Sequence, residues 1–303
     1  MAKGLNLATQ TKQYNKMVKR YFSLLKNIIH AIGITKKDKA KGVYHIKTWR
    51  GGRLHRIIGI NNALKVRELT VTGKISVTDL YFIQHMDNLE VLNLRNAIYL
   101  RKKQNEARKN RIRRNLVKKK KHLKEIWFPC SMKSVPSELF RDCMELERVI
   151  LPPSIKIISS HAFSNSGIKE LTIPSSVNSI EPYAFDNCRY LEKVQVEDSD
   201  RPLKWKGEQF KNCPALHEIY LGRNSNFEYA LATNVTLHRL VLGKTINDLN
   251  FDIQHTRDLV CLMKRPPHLT HHITAENIFV KKNFEHYWLA PGWNQKKLIK
   301  MDS

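Results

Sequence analysis

Three short constellations in this 303-residue chain carry residue types that catalytic or metal chemistry uses, and each lacks the spacing that chemistry needs. Gly243-Lys244-Thr245 resembles the end of a phosphate-cradling P-loop, but the position of the required earlier glycine is occupied by His238. His268, His271 and His272 stand near Cys261 and could offer imidazole and thiolate to a metal, yet no spaced partner pair accompanies them. Glu197, Asp198 and Asp200 offer carboxylates to calcium without the glycine and ligand spacing of a calcium loop, so they read as a turn. No G-x-S-x-G, H-E-x-x-H or Cys/His pairing supplies a nucleophile. The expectation is a non-enzyme with no catalytic residue, no metal, no cofactor and no small-molecule substrate.

The five cysteines, Cys130, Cys143, Cys188, Cys213 and Cys261, are odd in number, widely spaced and free of CxxC, which argues against a disulfide framework and a zinc site. What remains is electrostatics. The chain holds 53 Lys and Arg against 27 Asp and Glu, a net of +26. Residues 1–125 hold 31 and 7, a net of +24, whereas residues 126–303 hold 22 and 20, a net of +2. Such asymmetry points the N-terminal part at a polyanion: nucleic acid, an anionic membrane or an acidic protein.

Residues 101–124 supply half of that excess, with 13 Lys or Arg against Glu106. Arg101, Lys102, Lys103, Arg108, Lys109, Arg111, Arg113, Arg114, Lys118, Lys119, Lys120 and Lys121 are the expected contacts to an anionic partner. Each phosphate neutralised releases counterions, so binding would be steeply salt-dependent and largely independent of sequence. No Phe, Tyr or Trp interleaves the run, so stacking on single-stranded bases is not expected from within it. A solvated loop and a targeting signal are the alternative readings of the same residues.

These charges hang on elements with clear periodicity. Tyr14, Met17, Val18, Tyr21, Leu25, Ile28, Ile29 and Ile32 fall at three- and four-residue spacing and predict a basic amphipathic helix over 12–34, which either caps a core or lies on a membrane surface. The apolar stretch from Tyr21 to Ile34 is interrupted by Lys26 and His30 and has no small-residue cleavage site after it, so a cytoplasmic location is the default expectation.

Further on, a hexad L-x-x-L-x-L recurs with branched aliphatics allowed, starting at Val66, Leu89, Leu123, Leu146, Ile168, Leu191, Leu216 and Leu237. From Leu123 the starts are 23, 22, 23, 25 and 21 residues apart, inside the roughly 20–29 residues of a leucine-rich repeat. Phe140, Phe163, Phe185 and Phe210 keep phase with the hexads, followed three residues later by Cys143, Ser166, Cys188 and Cys213. Each unit has one apolar face that only stacking on the next can bury, which predicts a solenoid of short parallel strands.

LERVILPPSIKIISSHAFSNS and IKELTIPSSVNSIEPYAFDNC resemble the unit of the BspA-like leucine-rich repeat family, known from bacterial surface proteins. The resemblance reaches upstream through Val66–Ala97 and downstream through Asn277–Gln295, about residues 50–300 in all. It implies an α/β leucine-rich repeat solenoid, a C-terminal cap and, for many family members, secretion or surface attachment. It implies little about ligands, because repeat scaffolds bind many things. The expected organisation is a basic helical extension over 1–49 and a repeat domain over 50–303, with the basic insertion at 101–124 and the cap at 273–303.

In each hexad the third and fifth residues should face away from the core. The third positions, Glu125, Arg148, Glu170, Lys193, Glu218 and Arg239, alternate in sign and predict a structural charge ladder that fixes register. The fifth include Trp127, Ile150, Tyr220 and Val241, the expected protein-binding face unless a loop covers them. The function expected is therefore a scaffold that holds a protein partner on its strand face and an anionic partner on its basic half. A nucleic-acid-binding accessory protein and a surface adhesin are the alternatives.

Overall fold

The computed structural model describes residues 40–100, 117, 120–227, 236–249, 253–269, 273–282 and 298–301. The chain winds as a parallel β-solenoid with little helix. The first turn carries β1 (Val43–Thr48) and a short helix α1 (Leu54–Ile58), and the second β2 (Glu68–Ile75) and α2 (Val77–Gln84). The third carries β3 (Val91–Asn93) and β4 (Ala97–Tyr99). Each later turn pairs a hexad strand with a short second strand. These are β5 (Glu125–Trp127) with β6 (Ser134–Val135), β7 (Arg148–Ile150) with β8 (Ile157–Ile158), and β9 (Glu170–Ile173) with β10 (Ser179–Ile180). Next come β11 (Lys193–Val196) with β12 (Leu203–Trp205), β13 (Glu218–Leu221) with β14 (Ser225–Phe227), and β15 (Leu237–Leu242) with β16 (Asp248–Leu249). Then follow β17 (Ile253–Cys261) with β18 (His268–Leu269), β19 (Ile273–Lys281) and β20 (Leu298–Met301).

The hexad strands pair in parallel in the order β1-β2-β3-β5-β7 and, as a separate sheet, β9-β11-β13-β15-β17-β19-β20. The short strands form a second continuous sheet, β6-β8-β10-β12-β14, with β16 beside β18. The hexad pattern sets the core. Leu146, Val149 and Leu151 are buried, and so are Ile168, Leu171 and Ile173 in the next turn and Leu191, Val194 and Val196 in the one after. Between the two sheets the Phe rings stack from turn to turn: Phe140 on Phe163 at 4.9 Å, Phe163 on Phe185 at 5.6 Å, Phe185 on Phe210 at 5.6 Å. Each such aromatic pair adds roughly 0.5–1.5 kcal/mol beyond the area it buries.

The corners are equally regular. Pro152 and Pro174 follow hexad strands and end them, since proline has no N–H to donate to a ladder. Their carbonyls accept from Ile155 and Val177 in tight turns, while Ser154 and Ser176 donate to Met132 and Ile155 of the preceding turn at 2.6 and 2.7 Å. Asp142, Asn165, Asn187 and Asn212 take positive φ at the opposite corner, a conformation Asn and Asp tolerate. Asn165 and Asn187 each donate to the residue one turn earlier, at 2.9 and 3.4 Å.

The ladder extends beyond its expected bounds. Val43–Thr48, inside the range read as an N-terminal extension, pairs with β2 from Val43 opposite Glu68 to Thr48 opposite Gly73 and is the first rung among the described residues. It lacks the leading Leu of a hexad, which is why the pattern did not find it. Ile273–Lys281, read as the start of a cap, is another parallel rung against β17. The helix expected at 12–34 lies outside the described residues.

Candidate functional site

The outward side of the hexad strands presents columns of side chains, one rung apart. At the third position Glu125 lies opposite Arg148, and Glu170, Lys193, Glu218 and Arg239 follow one another across successive rungs. The column continues to Asp258 and Asn277, whose amide donates to the Asp258 carboxylate at 2.9 Å. Arg148 reaches Glu125 at 3.3 Å and Lys193 reaches Glu218 at 2.8 Å.

The second position, which the sequence reading passed over, alternates as well and in the opposite phase. Arg67, Glu90, Lys124, Glu147, Lys169 and Glu192 run in order, then His217 and His238, then Arg257 and Glu276. The two columns make a checkerboard of charge. Arg67 and Lys124 meet Glu90 from either side at 2.5 and 3.4 Å, and the Arg67 hydrogen bond holds the Glu90 carboxyl below its usual range. Exposed pairs of this kind contribute about 0–1 kcal/mol each.

The fifth position is uneven. Trp127 and Ile150 lie opposite each other and are half-buried, presenting an apolar step on the face. Thr172 and Gln195 are exposed. Tyr220 is half-buried, and its hydroxyl donates to Asp198 Oδ1 at 2.7 Å. Burial first, and then the neighbouring Asp198 carboxylate, push the phenol up to about 12. Asp198 is thus tied to the ladder rather than free to hold a cation. Val241 is a correction: it is only 8% exposed, flanked by Tyr220 and Val260 on the adjacent rungs, and cannot serve as an exposed anchor. Its neighbours, about 4.8 Å to either side, screen it.

Lys120 is a second correction. Val117 precedes Leu123 by six positions, as Phe140 precedes Leu146, and Lys120 precedes Leu123 by three, as Cys143 precedes Leu146. The hydrogen bonds obey that register. Cys143 donates to the Val117 carbonyl at 3.0 Å, as Cys188 does to Phe163 at 3.0 Å and Cys213 to Phe185 at 3.1 Å. Lys120 therefore occupies the cysteine place of its turn. It is 5% exposed, and its ammonium donates to Met86 at 2.6 Å and to Gln84 at 3.3 Å. Burial pulls its pKa down to about 8, partly offset by Asp87. It is not available to an anionic partner. Lys121 is exposed. Arg101, Lys102, Lys103, Arg108, Lys109, Arg111, Arg113, Arg114, Lys118 and Lys119 lie outside the described residues. The repeat resumes at Val117, so the extra sequence ends at residue 116.

Between β7 and β9 the strand face opens into a cleft of about 370 Å³, lined by Arg148, Ile150, Glu170, Thr172, Pro174 and Glu197 among others. The hexads on either side of it are intact, so the hexad pattern alone does not mark it. Cys261 is fully buried at the end of β17, opposite Leu242 and Val280, with burial pushing its thiol up. Among the described residues no group of three or more His, Cys, Asp or Glu could hold a metal ion. His271 and His272 lie outside them.

Fold and face together define a repeat scaffold: a parallel solenoid that displays side-chain columns at fixed spacing. Residues 110–250 match the model of the BspA type leucine rich repeat region in six copies, and the resemblance read from the hexads and Phe/Cys units holds. Three crystal structures are similar in fold. A leucine-rich repeat protein from Bacteroides ovatus is 15% identical, with 78% of this chain and 66% of that one covered and a TM-score of 0.39. A leucine rich cell surface protein from Faecalibacterium prausnitzii is 15% identical, with 79% and 73% covered and a TM-score of 0.36. The pneumococcal vaccine antigen PcpA is 13% identical, with 78% and 80% covered and a TM-score of 0.33. The chain thus spans just under two thirds of the length of the first. No curated protein matches the sequence, and no catalytic family is indicated.

Proposed function

We propose that the protein is a non-catalytic binding scaffold that holds a protein partner on its strand face and an anionic partner through its basic run. One observation carries the first half. Trp127 and Ile150 lie opposite each other half-buried on adjacent rungs, with Ile150 at the edge of the cleft, on a face whose flanking columns are charged. An aromatic and an aliphatic residue in a rigid, otherwise polar surround are the usual anchors of a protein interface. The second half is supported by residues 101–116, which hold eight Lys or Arg against Glu106.

The test places a photo-crosslinking benzophenone side chain at position 127 or 150 and, as a control, at exposed Asn178 beside the second sheet. A protein adduct formed from the strand face and not from position 178 is the expected result. Equal adducts from both, or none from the face, would remove the face from the reading. Fluorescence anisotropy of duplex DNA and RNA across a salt series tests the basic run separately.

A further inference from the structure

Among the described residues the ladder of the strand face is broken between β7 and β9. In most steps of the second-position column the backbone N–H donates to the carbonyl one turn earlier: Glu90 to Arg67 at 2.7 Å, Lys124 to Glu90 at 2.8 Å, Glu147 to Lys124 at 2.9 Å, Glu192 to Lys169 at 2.7 Å. No such bond joins Lys169 to Glu147, and β7 and β9 belong to different sheets. The cause is a missing residue. Leu146, Leu191 and Leu216 each follow their Phe by six positions, whereas Ile168 follows Phe163 by five. The shortened return draws Gly167 against the Met144 carbonyl, so closely that a Cβ there would collide with it. The ladder splits on the other side, and the cleft is the split.

Two features of the cleft select its occupant. Cα atoms of β7 and β9 still approach within 8 Å, whereas a strand inserted between them needs about 9.6 Å, twice the usual strand spacing. There is room for a side chain and not for a strand. The charge is also net negative, with Glu170 and Glu197 against Arg148 in the lining. Glu170 sits in the column between Arg148 and Lys193, yet Arg148 turns to Glu125 and Lys193 to Glu218, which leaves the Glu170 carboxylate without an ion pair among the described residues. Glu197 adds a second carboxylate, already accepting from the Ser175 N–H at 2.8 Å. Ile150 and Thr172 supply carbon between them.

We infer that the cleft receives one long cationic side chain, an arginine by preference, from a protein partner lying across the strand face. The inference rests on the protein-binding reading of that face. The apolar stem would lie along Ile150 and the planar guanidinium would pair with the Glu170 carboxylate, a geometry a lysine ammonium meets less well, while Glu197 adds negative potential at the other end of the cleft. The same two carboxylates repel nucleic acid.

The probe is blocked arginine, N-acetyl-arginine N-methylamide, with blocked citrulline as the neutral isostere. Both are titrated into the full chain while backbone amides are followed by NMR. The arginine compound should shift Ile150, Thr172 and Glu197 saturably, citrulline should bind at least about tenfold more weakly, and Glu170→Gln with Glu197→Gln should abolish the response without changing Tm. Equal shifts from citrulline, no shifts at all, or shifts that survive the double substitution would overturn the inference. Failure here with crosslinks still forming from position 127 removes only the cationic occupant. Shifts here with no crosslinks from positions 127 and 150 confirm the cleft and remove the partner surface.

Discussion

The Lys120 ammonium donates to the Met86 carbonyl at 2.6 Å, at the place in the repeat where the following turn carries Cys143. A cation has been built into a column otherwise of uncharged side chains, Met86, Cys143, Ser166, Cys188 and Cys213. Its folded pKa is about 8 against an ordinary 10.5, so between those values the unfolded chain binds more protons and stability rises with pH. Below about pH 8 both states are charged and the cost of the buried ammonium is present in full. A shift of this size corresponds to about 3 kcal/mol between protonation states. Lys120→Met installs the residue the preceding turn uses at that place, and should flatten the rise. Thermal denaturation at pH 7.5 and pH 10 checks it: wild type should gain on the variant at the higher pH. Equal gains in both would mean that Lys120 titrates as an exposed lysine does.

Gly167 and the split ladder make a second case. Gly167→Ala forces a Cβ into the Met144 carbonyl and should cost at least 1–3 kcal/mol, the usual order for overpacking, read by urea denaturation. Inserting one residue between Ser166 and Gly167 restores the six-position spacing of the neighbouring turns. It should let Lys169 bond to Glu147 and slow hydrogen exchange at the Lys169 amide. Unchanged exchange would mean that the missing residue is not what holds β7 and β9 apart.

Much of this architecture is legible in the sequence, for a physical reason. A solenoid repeats one local solution, so Leu146, Val149 and Leu151 make the same statement as Ile168, Leu171 and Ile173, and repetition averages out the ambiguity of any single strand. What could not be read is whatever depends on register within a turn. Lys120 looks like one more charge in a basic run until Val117 is recognised as standing in the Phe column. Val241 looks like an exposed fifth position until Tyr220 and Val260 close over it. The cleft arises from a one-residue deletion in the return segment, while the hexads on either side, Leu146–Leu151 and Ile168–Ile173, remain intact.

The Phe and Cys columns should tolerate substitution very differently. The Phe163 ring is sandwiched between Phe140 and Phe185, and Phe163→Ala should cost about 3–5 kcal/mol. Cys188 donates to the Phe163 carbonyl at 3.0 Å and lies 3.6 Å from Ser166, which fills the same place one turn earlier. Cys188→Ser should therefore cost no more than about 1 kcal/mol, within the range of one hydrogen bond. Chemical denaturation of both variants decides it. Comparable losses would mean that the thiol packs as the ring does.

Thiol chemistry checks the cysteine column independently. Cys130 is exposed, whereas Cys143, Cys188, Cys213 and Cys261 are buried, with burial pushing the Cys188 thiol up to about 12. In the native protein a maleimide should modify Cys130 rapidly and leave the others intact until denaturant is added, as counted by intact mass. Early modification of Cys188 or Cys213 would mean that the turns open locally.

The extent of the basic run follows from the register of Val117. Leu100 follows Leu89 by eleven positions, as Ile157 follows Leu146, and in that regular turn five residues, Ile158–Ala162, separate Ile157 from the Phe position, so replacing residues 101–116 with that five-residue sequence should restore an ordinary turn and leave Tm unchanged. The same replacement removes eight Lys or Arg. If all eight neutralise duplex phosphates, the slope of log affinity against log salt should fall in magnitude by about 7. Lys120→Met should leave that slope where it was, since a buried ammonium bonded to carbonyls releases no counterion. An unchanged slope after the replacement would assign polyanion binding to charges outside residues 101–116. A slope that falls in Lys120→Met would mean that the lysine leaves its site to reach the ligand.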